Sequence, residues 1–346
     1  MRFAIVGISL VLFILGSQPL AANTISILED FDNTTSVVPV SFNSNANPAC
    51  CNSGGCQPCC DGAVSCCPQV SCNNCCNENL LFGFVAPSDH CFDGFLSPMT
   101  NPLYFEDPRT LTEARALFLR HKLPLAAGSG DVNVFAVQLR AALNDRLSVI
   151  ATKDGYATST NPLIDDGWAD LSAGLKYNLF KDPCAQKILS AGLVFELPVG
   201  SQRTLQGNGD GLFNLFATGG ARIGCWNWIS GTGFLLPTDT SAESQIWFWS
   251  NHIDRRIGCS NFHVLAEINL YHYLKAGDGG IPGLEGGDLI NLGSTGVAGN
   301  DIVTGAFGLK YKPSNRTEIG IAWENPLTDR RDVLENRLNV DWIFRY

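Results

Sequence analysis

The C-terminal segment "LENRLNVDWIFRY" alternates so regularly that an extended strand is the conformation that sorts its side chains. Leu338, Val340, Trp342, Phe344 and Tyr346 fall on one side, and Arg337, Asn339, Asp341, Ile343 and Arg345 on the other. Successive side chains of a strand point to opposite faces, so this segment has one apolar face and one mostly polar face. The same period of two recurs upstream. "ADLSAGLKYNLF" sets Leu171, Ala173, Leu175, Tyr177 and Leu179 against Asp170, Ser172, Gly174, Lys176 and Asn178. "FHVLAEINLYHY" sets Phe262, Val264, Ala266, Ile268 and Leu270 against His263, Glu267 and Asn269.

About twelve such segments are expected from residue 112 onward, near 112–123, 132–143, 146–155, 167–180, 187–199, 212–223, 226–236, 244–254, 261–273, 302–311, 317–326 and 334–346. The first, "LTEARALFLRHKL", reads equally as a short helix; an even strand count favours a strand. The connections alternate in length. Short ones fall at 144–145, 181–186, 224–225, 255–260 and 312–316. Longer ones fall at 124–131, 156–166, 200–211, 237–243, 274–301 and 327–333. Outer-membrane barrels have this asymmetry, with short periplasmic turns and longer outer loops. In lipid every backbone N–H and C=O needs a partner within the protein, which only helices and closed barrels provide. The expected fold is therefore all-β: an antiparallel transmembrane barrel of about twelve strands. Trp226, Trp228, Trp247, Trp249, Tyr271, Tyr273, Trp323, Trp342 and Tyr346 are candidates for interfacial girdles.

The start of the chain fits export. "MRFAIVGISLVLFILGSQPLAA" has one basic residue, an apolar run too short to span a bilayer, and small residues before a cleavage site after Ala22. Residues 1–22 read as a signal peptide, 23–48 as a polar linker, 49–77 as a cysteine-rich segment, 78–111 as a periplasmic connector or plug, and 112–346 as the barrel. The formal net charge of −10, with no basic run, disfavours nucleic acid as a partner. The expected partners are outer-membrane lipid, a small solute, and the barrel-insertion machinery. The last would read Trp342, Phe344 and Tyr346 as an assembly signal.

"GWADLSAGLKYNLF" followed by "LSAGLVFELPVGS" resembles the outer-membrane barrels named after the meta-cleavage phenol-degradation pathway. The matching positions are Gly167, Asp170 and Leu171, then Gly174, Leu175 and Tyr177, then Leu197, Pro198, Gly200 and Ser201. The resemblance covers roughly residues 112–346. It implies a twelve-stranded barrel that passes small, hydrophobic or aromatic molecules, and it carries over no site residues.

Inward-facing candidates for the lumen lining are Arg140, Lys176, Glu196, Arg222, Glu267, Lys310, Glu318, Glu324, Arg337, Asp341 and Arg345. Both signs occur, so pairing across the lumen and a charge filter are both open readings. A barrel of this size is intermediate between filled eight-stranded barrels and water-filled porins, and the expected channel is narrow or plugged. No Gly-x-Ser-x-Gly or His-Glu-x-x-His motif occurs, and His263 and His272 fall on opposite faces of one strand. Neither an enzyme nor a cofactor is expected.

The cysteines pose a separate question. Cys50, Cys51, Cys56, Cys59 and Cys60 share a spacing with Cys66, Cys67, Cys72, Cys75 and Cys76: Cys-Cys-x4-Cys-x2-Cys-Cys, offset by sixteen. Thiolates so placed could hold a soft metal. An exported chain with few apolar residues favours a disulfide knot instead. Each block holds an odd number, so if all are bridged at least one bond leaves each block. Cys91, Cys184, Cys225 and Cys259 complete the set, the last three in or beside expected short turns. Beyond a channel, the alternative reading is a structural, envelope-anchoring barrel that presents this segment.

Overall fold

The computed structural model describes Leu80 and residues 83–346. The expected signal peptide, linker and duplicated cysteine block lie outside the described residues. Twelve antiparallel strands form the wall: β1 (Glu113–Lys122), β2 (Asp131–Ala142), β3 (Leu147–Lys153, continued by Tyr156–Ser159), β4 (Gly167–Trp168, continued by Leu171–Asp182), β5 (Lys187–Leu197) and β6 (Leu212–Ile223). They continue with β7 (Trp226–Pro237), β8 (Gln245–Arg256), β9 (Phe262–Lys275), β10 (Asp301–Ser314), β11 (Thr317–Pro326) and β12 (Asn336–Arg345). Each strand pairs with its neighbours in sequence, and β1 pairs with both β2 and β12, from Glu113 opposite Arg345 to Lys122 opposite Asn336. The sheet is therefore a closed barrel, and among the described residues no edge strand remains unpaired.

The outer face explains why the strands alternate. Leu171, Leu175, Tyr177 and Leu179 on β4 are exposed, as are Ile319, Ile321 and Trp323 on β11 and Trp342 and Phe344 on β12. A continuous apolar belt of this kind suits lipid as its solvent. Polar side chains on the belt are satisfied by indoles. Trp247 donates to the Thr232 hydroxyl at 2.9 Å, Trp249 to the Ser230 hydroxyl at 3.1 Å, and Trp228 to the Asn251 carbonyl at 3.1 Å. Tyr271 and Tyr273 depart from the expected girdle. Both point inward and are buried, and the Tyr273 hydroxyl donates to Asp332 at 2.7 Å. Their odd numbering on β9 puts them on the same face as His263 and Glu267, so the strand period overrides the aromatic character.

The connections are short at one end (143–146, 183–186, 224–225, 257–261, 315–316) and longer at the other (123–130, 160–166, 198–211, 238–244, 276–300, 327–335). Residues 156–159, expected in a loop, instead belong to the wall. The expected strand 146–155 stops short because Gly155 (φ +112°) makes a bulge, after which the strand resumes against β2.

β1 is a strand, and its ambiguity has a structural cause. Leu117 and Leu119 face inward while Ala114, Ala116 and Phe118 face outward, so both faces are apolar and the alternation is blurred.

Candidate functional site

The lumen is not open. Residues 86–112 enter from the short-turn end, rise to a reversal at Asn101–Tyr104, and return to start β1. The entry is pinned where Ala86 bridges Ala142 and the Ser88 N–H donates to the Tyr346 carbonyl. Asn101 has φ +49°, a conformation that asparagine tolerates better than most residues. Phe92, Phe95, Leu96, Met99 and Phe105 are buried inside the barrel. Burying each is worth about 1.5–3 kcal/mol. The wall makes room with glycines: a Cβ at Gly231 would lie 2.8 Å from the Phe105 ring, and one at Gly320 would lie 2.7 Å from the Met99 sulfur.

Some of the inward charges hold this plug, and the others pair across the wall or with the long loop. Arg140 forms a fork on Glu106 at 2.6 and 2.8 Å and also reaches Glu113 at 3.1 Å. Lys176 meets the same Glu106 carboxylate at 2.8 Å. Glu267 accepts from the Met99 N–H at 2.7 Å, the Thr100 N–H at 2.6 Å and the Thr100 hydroxyl, while His252 sits 2.6 Å away. Arg345 links Glu318, Glu113 and the Ser97 hydroxyl. Lys310 joins Asp341 at 2.9 Å and Glu318 at 3.3 Å. Glu196 pairs with Lys153 at 2.6 Å. Arg337 bonds Asp288 twice at 2.7 Å and lies 3.6 Å from Glu324. Each of these eleven-candidate positions faces inward and is buried, with one exception. Arg222 is exposed at the short-turn rim, where its guanidinium lies over Gly94 at the plug entrance and donates to Asn227 at 3.3 Å. Opposite charges are thus matched in pairs and triads, because unpaired ions so buried would cost several kcal/mol each.

The plug's own Glu106, Asp107 and Arg109 were not among the expected site residues. They lie in a segment with no period, "LYFEDPRT", and only the topology places them against β2 and β4.

Above the plug, toward the long loops, the lumen changes character. A cavity of about 50 Å³ lies over Pro102 and Leu103 and opens toward solvent. Leu117, Leu119, Val132, Val134, Ala136, Ala157 and Ile164 line it, and Leu289 and Ile290 of the 276–300 loop cover it. The Arg337–Asp288 pair anchors that loop in the barrel mouth, and Gln206 donates to the Leu289 carbonyl at 3.1 Å. Mostly apolar walls with a few polar groups are the make-up of small-molecule sites. Here the polar groups are His121, Lys153, Asp154, Thr204 and Gln206.

With this geometry in view, one solved structure resembles the chain over most of its length. It is an outer-membrane channel from Pseudomonas putida F1, 13% identical, with a TM-score of 0.50, covering 73% of this chain and all of that one. The NanC porin aligns at a TM-score of 0.43 and 10% identity, over 68% of this chain and all of that one. At these identities the similarity concerns the fold. No protein-family model and no curated protein matches the chain.

The described histidines do not assemble a catalytic pair in the pocket. His121 bonds the Val333 carbonyl at 2.8 Å and Arg337 at 3.1 Å, His252 belongs to the plug contacts, and His272 faces outward to Asp301.

Glu243, in the loop 238–244, packs near Lys153, Glu196 and Asp170 beside the pocket. Burial, together with the negative charge of Glu196 and Asp170, pushes its carboxyl up to about 8. A carboxyl raised in the folded state is a source of stability at low pH that is lost as pH rises from about 4.5 through 8. Heat stability should therefore fall between pH 5 and 9 by on the order of 2 kcal/mol, and Glu243→Gln should flatten that slope. A Gln variant with the wild-type slope in pH-dependent thermal melts would refute the assignment.

Proposed function

We propose that this protein is an outer-membrane transporter for passive movement of a small apolar solute, with its long loops facing outward and its short turns toward the periplasm. The observation that carries this reading is the apolar pocket between the covering loops and the plug. A water-filled pore for polar solutes would need continuous polar lumen, whereas here the ion-paired plug occupies the lower half. The resemblance of the 167–201 region to barrels associated with phenol degradation agrees with an aromatic or other hydrophobic solute.

Purified protein should bind a naphthylamine fluorophore saturably and give no swelling of sugar-loaded liposomes above protein-free controls. Val134→Trp, which fills the pocket, should weaken fluorophore binding at least tenfold. Sugar flux comparable to a general porin, or unchanged binding by the Trp variant, would sink this reading.

The four described cysteines support a second, compatible role. Cys184, Cys225 and Cys259 lie in the short turns, and Cys91 lies at the plug entrance, where its carbonyl accepts from Gln186 at 2.9 Å. All four are therefore at one rim, the rim where the described chain enters at Ala86. The rim and the cysteine-rich segment are bridged by disulfides in this reading, and the barrel anchors the segment to the envelope. Peptide mapping without reductant should recover at least one peptide joining Cys184, Cys225 or Cys259 to the region 50–76. Recovery of all three as unlinked thiols would dismiss the tether.

A further inference from the structure

We propose that the solute leaves the pocket sideways, through a break in the wall between β2 and β3, and enters the lipid without passing the plug. This rests on the pocket being a solute site, as argued above.

The break is visible in the pairing. β3 pairs with β2 at residues 139–142 through its first piece and at residues 132–135 through its second. Residues 136–138 of β2 have no ladder partner on that side, because Thr152–Gly155 bulge away. In lipid the freed backbone groups must still be satisfied. Side chains do this: the Asp154 carboxylate accepts from the Val137 N–H at 2.9 Å, and Gln138 donates to the Thr152 carbonyl at 2.6 Å. A ladder bond breaks only when two strands part. A side-chain bond breaks on rotation about χ angles, so this stretch of wall is the part most easily opened.

The break is also in the right place. Ala136 on β2 and Asp154 and Ala157 on β3 flank it and line the pocket, and at rest Gly155 closes it by packing against Phe135 and Ala136, so the route opens only when the Asp154 and Gln138 bonds let go. Pro102 and Leu103, at the plug's reversal, form the pocket floor at the same level, and Gln138 touches both features by donating to the Pro102 carbonyl at 2.7 Å. Outside, the break is flanked by exposed Phe135, Val137 and Trp168, an apolar landing for a solute passing into lipid. A straight descent instead meets the Arg140–Glu106–Lys176 cluster, where an apolar solute would replace paired ions.

Two variants change the break in opposite directions. Asp154→Ala removes the latch on Val137. Deleting Asp154 and Gly155 removes the bulge and lets the ladder run through. The readout is the initial rate at which an apolar naphthylamine fluorophore enters cells whose lipopolysaccharide leaflet otherwise excludes it, alongside equilibrium binding to the purified protein. Asp154→Ala should raise the rate at least threefold after division by any change in measured binding, since Asp154 also lines the pocket, a gain that misfolding does not produce. The deletion should lower the rate at least tenfold. An Asp154→Ala rate, on that same scale, within twofold of wild type, or below it, overturns the lateral route whatever the deletion does. Absence of saturable binding by the wild-type protein overturns the pocket reading itself, and so is told apart from failure of the route.

Discussion

Glu106→Gln is expected to release the plug and turn a nearly silent barrel into a conducting one. Glu106 neutralises Arg140 and Lys176 together, at 2.6–2.8 Å, and all three side chains are buried. An amide keeps the volume but removes the charge, leaving two buried cations with Glu113 as the nearby remaining anion for Arg140. Breaking a buried ion pair by removing one partner costs about 3–5 kcal/mol. At ~1.4 kcal/mol per factor of ten, the population of the undocked plug should rise by roughly two to three orders of magnitude. Planar-bilayer recording reads this directly. Long-lived ionic openings should be frequent in the variant and rare in the wild type. A variant as quiet as the wild type, with its barrel intact on electrophoresis, would show that the plug is held by its apolar contacts and not by this cluster.

Glu267→Ala should have an effect of similar size through a different part of the plug. Its carboxylate accepts two backbone N–H groups, of Met99 and Thr100, beside the reversal, and it also faces His252. Removing it strands two buried donors and an imidazole, at about 1–3 kcal/mol for each unsatisfied group. The double variant tests the mechanism. Both carboxylates hold one body that docks or undocks as a whole through separate contacts, so their effects on the undocking free energy should add until the open state saturates. A sum clearly below additivity would mean that losing one contact already loosens the other.

These predictions depend on features of unequal legibility in the sequence. The wall was readable. The period of two in Leu338–Tyr346 and Leu171–Leu179 depends only on each residue and its neighbour two positions away, and a strand preserves that relation whatever it pairs with. The alternation of short and long connections was readable for the same reason, since a turn's length is local. Where the period was blurred, as in β1, the cause is that Leu117 and Leu119 serve an apolar pocket and not a polar lumen. Where the expected strand ended too soon, at residue 155, the glycine serves a bulge within the wall and the strand goes on beyond it.

The chain's own pattern thus determined a closed, lipid-facing barrel with charged residues turned inward. It did not determine what those charges meet. Ser97 and Arg345 are 248 residues apart, and Glu106 and Lys176 are 70 apart, yet each pair is in hydrogen-bond contact. Such contacts arise only when the barrel closes around the plug and brings distant segments to one axis. Burial then forces every ion to find an opposite charge, and that requirement decided between a charge filter and a paired, plugged lumen. The apolar pocket and the break beside it follow likewise from how β1, β2, β3 and the long loops close over the plug, which no local period records.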